Sequence, residues 1–381
     1  MRILVDYRPA LRERTGVGEY IHQLVRAYTA RHEDEVAILC SSWKDRPAPG
    51  LAAELNARII DRRVPVRVLN YAWHRLEWPP VEWLAGRFDV VHAAHPLAIP
   101  SRSAAQVVTI HDLFFLAEPE RTRAEIRRDY VPLAAAHARR ADAVITSTEH
   151  GKRLLADRLG VPTDRIYVCP AGAPAWQQLG RQATVRPGGT VLFLGTLEPR
   201  KNIGTLLDAY EALLRRRADA PPLVLAGRPT ADAVGWLQRI AVPPLAGRVT
   251  HVGYVSQDQR ERLYAEARLL VLPSLDEGFG LTALEAMSAG IPVVVSNRGS
   301  LPEVVGSAGT FIEPNDVAGL ADAIERLTVD DEAALEHARA GLARAREFTW
   351  TRAAATLRHA YLDAVARRQQ RDQDLAEGRK R

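Results

Sequence analysis

Glu277 and Glu285 stand on either side of a glycine-rich turn in VLPSLDEGFGLTALEAMSAGIPVVVS, residues 271–296. The pattern reads as strand, turn, short helix and strand. Gly278 and Gly280 allow tight backbone conformations and close approach of a ligand, and the helix predicted over Leu281–Ala289 aims its first N–H groups at whatever lies before it. That is an anion site, suited to a diphosphate by unpaired donors and the helix dipole. Gly290 stops the helix and Pro292 prevents its continuation. Carboxylates accept hydrogen bonds from hydroxyls, so one glutamate can hold a sugar and the other a ribose about one pyrophosphate. Phosphates beside carboxylates require cations. GTLEPRKN supplies Arg200 and Lys201 just after a predicted strand, placed to neutralise a diphosphate leaving group in place of a metal. The bland alternative is a solvated pair at a helix start.

Two further segments carry candidate groups. QVVTIHDLFF sets His111 and Asp112 past a strand end, where a histidine can bond a sugar hydroxyl, hold an acceptor or exchange a proton. RTGVGEY puts Gly16 and Gly18 between the first strand and a helix, in a turn able to approach the acceptor or the donor phosphate. GVG is too short for a dinucleotide fingerprint, and no full GxGxxG follows any strand, which argues against a dehydrogenase.

Elements able to position these groups alternate as in βαβ units, and they do so twice. Strands are expected at Arg2–Asp6, Val36–Leu39, Val90–Ala93, Gln106–Ile110, Ala143–Thr146 and Ile166–Val168, with helices notably at Gly18–Ala30, Arg123–Arg139 and His150–Leu159. The alternation restarts with strands at Thr190–Gly195, Leu223–Ala226, Val249–His251, Leu269–Pro273, Pro292–Ser296 and Thr310–Ile312. Helices follow at Ile203–Arg217, Asp258–Ala267, Leu281–Ala289 and Val317–Thr328. The expectation is an α/β protein of two Rossmann-like domains, 1–172 and 190–350, facing across a cleft and joined by a Gly, Pro and polar-rich linker over 173–189. A helix over 351–368 precedes a polar tail, 369–381, expected to be disordered. Asp372 and Asp374 form a DxD pair in that tail and read as solvated carboxylates, not as a metal site.

Bulk properties bound the reading. A chain of 381 residues favours two domains, and 47% hydrophobic with 25% charged residues is ordinary for a globular protein. Cys40 and Cys169 show neither disulfide nor zinc spacing, in keeping with a reducing cytoplasm. The N-terminus lacks a signal-peptide pattern and no apolar run is long enough to span a membrane, so any membrane attachment is peripheral. The net charge of +5 is compatible with phosphate ligands or an anionic surface and does not require nucleic acid.

Taken together and in order, TGVGEY, TIHD, TLEPRKN, EGFGLTALEAMSAGIPVVVS and SNRGSLPEVVG resemble the large retaining glycosyltransferase family four, of GT-B fold, over nearly the whole chain. The resemblance implies a nucleotide-sugar donor in the C-terminal domain, an acceptor at the N-terminal domain, retained anomeric configuration, and neither cofactor nor essential metal. It also implies that Glu277 contacts the donor sugar, Glu285 the ribose, and Lys201 the pyrophosphate. The backbone of Phe279, Gly280 and Leu281 is implied to reach the phosphates, and His111 the reacting face of the sugar. Gly195 and Thr196 are implied to line the donor site, although many members carry Arg where Thr196 stands, so that either Arg200 supplies the guanidinium or the phosphate is held by fewer charges. The base is expected near Gly227–Arg228 and the Gly253–Tyr254–Val255 turn. The final helix is expected to cross back to the first domain.

Within the family the segments resemble bacterial mannosyl- and rhamnosyl-type enzymes of surface polysaccharide synthesis. GDP-mannose is the first expectation for the donor, with a glycan or polyprenyl-linked glycan as acceptor and Asp112 as an acceptor contact. Front-face substitution is the expected mechanism. RTRAEIRRDYVPLAAAHARR and YAWHRLEWPPVEW admit two readings. One is a face resting on the inner, anionic surface of the plasma membrane; the other is a solvated helix over a buried aromatic cluster. Rival functions are another GT-B enzyme, such as a sugar-phosphate synthase, a UDP- or dTDP-sugar transferase or a sugar-nucleotide epimerase, and a non-catalytic nucleotide-sugar-binding subunit.

Overall fold

A computed structural model of the chain describes residues 1–381 except 12, 13, 15, 118, 122, 123, 175, 177–182, 184, 185 and 379–381. Most of the expected linker, and Arg123 at the start of an expected helix, therefore lie outside the described residues. The chain forms two compact units: Met1–Gly172 with Thr349–Arg381, and Ala173–Phe348.

The first unit contains β1 (Arg2–Asp6), β2 (Glu35–Leu39), β3 (Arg58–Ile60), β4 (Val90–Ala93), β5 (Ala105–Thr109), β6 (Ala143–Thr146) and β7 (Ile166–Val168). They form one parallel sheet in the order β3-β2-β1-β4-β5-β6-β7. Its central strands are apolar on both faces because helices cover both; β4 and β6 are buried at every residue. Only β3 was absent from the expected strands. Its three residues include an exposed arginine, too short and too polar at the sheet edge to give a periodic signal.

The expected disorder of the tail is corrected: one helix runs over Trp350–Gly378. Its first half docks on the sheet of this unit, where the Tyr361 hydroxyl meets His92 Nδ1 at 2.8 Å and the Tyr361 ring packs edge-on to Tyr28 at 5.6 Å. Its polar second half is held by side chains instead. Arg368 bonds Asp372, Gln370 bonds Asp374, and Arg371 pairs with the buried Asp142. Of the three tryptophans in YAWHRLEWPPVEW, Trp73 is fully buried while Trp78 and Trp83 are exposed.

The second unit contains β8 (Thr190–Leu194), β9 (Leu223–Ala226), β10 (Val249–Gly253), β11 (Ala267–Leu272), β12 (Val293–Ser296) and β13 (Thr310–Ile312). The parallel order is β10-β9-β8-β11-β12-β13. A helix not expected from the sequence, Asp331–Ala345, begins at Asp330, whose side chain accepts from the Ala333 N–H. In each unit the winding direction reverses beside the first strand, between β1 and β4 and between β8 and β11. Connections leave such a pair in opposite directions, which in open parallel sheets is where ligands are generally bound.

Candidate functional site

The two loops that leave the β8–β11 switch point are Gly195–Asn202 and Pro273–Gly280, the two segments singled out by their chemistry. Sheet order therefore brings together Lys201 and Glu277, which lie far apart in sequence. The Lys201 ammonium donates to Glu277 Oε1 in a short contact, and Ser274 Oγ donates to the same oxygen at 2.8 Å. Arg200 Nη1 approaches Glu277 Oε2 at 3.3 Å and donates to the Asp276 carbonyl at 2.8 Å. Burial works to raise the Glu277 pKa, but Lys201 and Arg200 prevail and hold it at about 2. The carboxylate is therefore charged at neutral pH.

Arg200 also grips Glu198, with Nε at 3.2 Å and Nη2 at 2.9 Å from Oε1. Two cations thus already face two carboxylates. For a diphosphate this alters the expected electrostatics: its charge meets a nearly neutral cluster, unless Lys201 or Arg200 exchanges a carboxylate for a phosphate. The helix Leu281–Ser288 offers further donors. Gly280 caps it at φ +92°, a conformation that favours glycine, and a Cβ there would lie 2.7 Å from Leu301 Cδ2. The N–H groups of Phe279, Gly280 and Leu281 take no backbone acceptor among the described residues. Phe279 is buried, its ring edge-on to Phe348 at 5.9 Å.

Glu285 lies one helical turn further and is also buried. It accepts from Arg260 Nη1 at 2.9 Å and from the Tyr264 hydroxyl at 2.8 Å. Arg260 and Tyr264 occupy adjacent turns of the helix Gln257–Glu266. Trp176, inside the expected linker, is buried and donates through Nε1 to the Glu285 carbonyl at 3.1 Å and to Ser288 Oγ at 2.6 Å. That part of the segment is an anchor to the helix, because indole burial and two hydrogen bonds replace the missing periodicity.

SNRGSLPEVVG closes the other side. The Ser300 N–H donates to the Glu277 carbonyl at 2.9 Å and Ser300 Oγ to the Gly278 carbonyl at 3.0 Å. A Cβ on Gly299 would fall 2.6 Å from Glu277 N and O. The loop so fixes the backbone that carries the carboxylate.

Gly195, Gly227 and Gly253 line up at the carboxyl ends of β8, β9 and β10, with Gly195 N–H bonded to the Ala226 carbonyl at 2.9 Å and Gly227 N–H to the Gly253 carbonyl at 2.7 Å. Thr196 is exposed. The Arg228 guanidinium lies 5.0 Å from the centroid of the exposed Tyr254 ring, a flat polar face at the end of β10.

In the first unit, His111 follows β5, its Nδ1 2.7 Å from Ser147 Oγ and its ring edge-on to Tyr20 at 4.7 Å. Burial pushes its pKa down to about 4, which keeps the ring neutral. Its Nε2 is shielded and has no partner among the described residues. Asp112 Oδ1 accepts from the Phe114 N–H at 3.1 Å. Gly16 caps the helix Val17–Thr29, and Gly18 packs against Pro9, where a Cβ would meet the carbonyl at 2.8 Å.

Sequence reasoning missed Ser274, Glu198, Arg260, Tyr264, Trp176, Ser147 and Tyr20 as partners of these groups. Arg260 and Tyr264 carry a readable signal, four residues apart on one helix face, but no sequence feature says which carboxylate they meet.

Residues 188–330 match the family model described as glycosyl transferases group 1, and residues 14–177 that of glycosyltransferase family 4. The O-antigen chain mannosyltransferase B of Escherichia coli is 31% identical over 372 residues, covering 92% of this chain and 96% of that protein. Among solved structures, sucrose-phosphate synthase from Thermosynechococcus elongatus has a TM-score of 0.72 at 21% identity, covering 96% of this chain and 99% of that one. Anabaena Alr3699/HepE in complex with UDP and glucose has a TM-score of 0.65 at 19% identity, covering 98% and 99%. The paired parallel sheets and these matches establish that the chain belongs to glycosyltransferase family 4, the group 1 nucleotide-sugar-dependent glycosyltransferases of GT-B fold.

Proposed function

We propose that this chain transfers a hexosyl group, with retention of configuration, from a nucleotide diphosphate sugar to a glycan or polyprenyl-linked glycan of surface polysaccharide synthesis. The convergence of Lys201, Arg200 and Glu277 on the loop whose Phe279, Gly280 and Leu281 N–H groups take no backbone acceptor among the described residues carries this reading. The bond between the anomeric carbon and the diphosphate oxygen breaks, and the acceptor hydroxyl forms its new bond on the same face. Its proton passes to an oxygen of the departing phosphate. Glu277 holds the sugar and supports positive charge at the anomeric centre; Lys201 and the helix N–H groups stabilise the leaving diphosphate. Glu285, Gly195, Thr196, Gly227, Gly253 and Tyr254 complete donor binding, and Asp112 belongs with the acceptor.

Mannose from GDP-mannose is the first reading, supported by the O-antigen mannosyltransferase. Transfer from a UDP sugar, or to a sugar phosphate, is the second, and its support is the UDP and glucose held by HepE and the fold shared with sucrose-phosphate synthase. A panel of GDP-, UDP-, dTDP- and ADP-sugars decides between them, read by nucleoside diphosphate release and by NMR of the product anomer. GDP release from GDP-mannose alone, with an α product, supports the first reading. UDP release supports the second, and binding without release from any donor leaves a non-catalytic subunit.

The acceptor reading includes peripheral docking on an anionic bilayer. Trp78 and Trp83 are 53% and 60% exposed and meet edge-on at 5.5 Å, with the Arg102 guanidinium 5.6 Å from the Trp83 ring. Among the described residues no helix is long and apolar enough to cross a membrane. Sedimentation with phosphatidylglycerol vesicles at low salt should carry the protein down and lose it on W78A/W83A; no binding by the unaltered chain would remove this part of the reading.

A further inference from the structure

Lys201 is presented by a turn whose two flanking side chains both cross to other loops of the second unit. On one flank, Arg200 Nη1 donates to the Asp276 carbonyl at 2.8 Å and stands 3.3 Å from Glu277 Oε2, while Nε and Nη2 hold Glu198 Oε1 at 3.2 and 2.9 Å. The backbone repeats the link, for the Leu275 N–H donates to the Arg200 carbonyl at 2.8 Å. On the other flank, Asn202 Nδ2 donates to the Pro273 carbonyl at 3.1 Å and to the Pro314 carbonyl at 2.6 Å, and Asn202 Oδ1 accepts from Thr205 Oγ1 at 2.8 Å. Asn202 has φ +58°, a left-handed conformation disfavoured for a residue with a Cβ, and these bonds hold it there.

The two cations of the turn are therefore placed differently. Every nitrogen of the Arg200 guanidinium meets a protein acceptor, in the planar fork that suits two carboxylates at once. Lys201 has three donor hydrogens, and among the described residues its ammonium bonds Glu277 Oε1. When that ammonium turns to a phosphate, Ser274 at Oε1 and Arg200 at Oε2 remain to hold the Glu277 carboxylate in place.

We propose that Arg200 is a positioning residue for Glu277, tying the loop Gly195–Asn202 to the loop Pro273–Gly280, and that of the two cations Lys201 alone meets the donor diphosphate. The inference rests on the reading of this site as the donor site. Glu277 supports charge at the anomeric centre, and a carboxylate displaced by a fraction of an ångström loses much of that effect while the diphosphate stays bound. Arg200 thus acts on turnover through Glu277 and leaves nucleotide affinity to Lys201.

Arg200→Lys in the full chain tests this, since it keeps the positive charge and removes the fork. Calorimetry with GDP and UDP gives affinity, and release of nucleoside diphosphate from GDP-mannose and UDP-glucose, with water as acceptor, gives kcat and donor KM. The variant should bind the preferred nucleotide within about threefold of the unaltered chain and lose at least about tenfold in kcat. In a Glu277→Gln background the same substitution should change kcat by less than about twofold, a coupling that a general loosening of the fold would not produce. Glu198→Gln, which frees one edge of the fork and carries the test if Arg200→Lys does not fold, should also lower kcat at unchanged affinity. Nucleotide binding weakened tenfold or more in Arg200→Lys, or tightened as much in Glu198→Gln, would make Arg200 a phosphate ligand and overturn the proposal. Unchanged kcat in Arg200→Lys, or an equal loss with and without the Glu277 charge, overturns it as well. Absence of nucleotide binding or of donor hydrolysis in the unaltered chain would strike the donor reading itself, and the proposal with it.

Discussion

Replacing Glu277 with Gln keeps the shape of the side chain and removes its charge, leaving Lys201 and Arg200 facing a neutral amide. The carboxyl is held at about 2 against an ordinary 4.5. At 1.36 kcal/mol per pKa unit, the charged form is worth roughly 3 kcal/mol to the folded second unit at pH 7. The magnitude agrees with the cost of about 3–5 kcal/mol for breaking one partner out of a buried ion pair. The sign follows from a folded pKa below the unfolded one. The stabilisation is fully present above about pH 4.5 and is lost as pH falls toward 2, with about half remaining near pH 3. Urea unfolding of both proteins from pH 7 to pH 3 measures the gap directly. Equal stability at pH 7, or a gap that does not narrow in acid, would refute the electrostatic account of this carboxylate. In turnover, the same variant should fall by on the order of 10²–10³ if the charge supports the transition state.

Two other substitutions and one pH profile probe the remaining site residues. Gly299→Ala puts a Cβ 2.6 Å from the Glu277 backbone at a residue with φ +59°, so it should destabilise the second unit by roughly 2–3 kcal/mol in denaturant titration and depress turnover with it. Tyr264→Phe removes one of the hydrogen bonds to Glu285 and should cost roughly 1–2 kcal/mol of stability, with a rise in donor KM larger than any loss in kcat. His111, held neutral by burial, should give no inflection between pH 5.5 and 8 in kcat against pH; an inflection near 6.5 that disappears in His111→Gln would show that the ring titrates in that range.

Much of the fold was legible because periodicity is a local property. Strands such as Val90–Ala93 and Ala143–Thr146 are short apolar runs between turns, and the structure has them at those bounds. What escaped depended on partners distant in sequence. The tail after Arg368 looks too polar to fold, yet Arg371 finds Asp142 more than two hundred residues away. Trp176 lies in a stretch without periodicity, and only the Leu281–Ser288 helix gives its indole a place. The same holds for the candidate site. Glu277, Lys201 and Arg200 announce themselves by type and by their position after strands, and the sheet order then brings them into contact. That Arg200 is already committed to Glu198 was not readable, because both residues look like solvated loop charges until the loop's path is known.

Lys201, beside Glu277, is expected to meet the diphosphate of a nucleotide sugar. Titration calorimetry of the preferred nucleoside diphosphate into the unaltered chain and into Lys201→Ala tests it most directly. Loss of a charge-assisted contact of about 1.5–3 kcal/mol predicts binding weakened by roughly 10- to 100-fold in the variant. Equal affinity in the two proteins, or no heat and no thermal stabilisation with GDP, UDP, dTDP or ADP, would contradict the account.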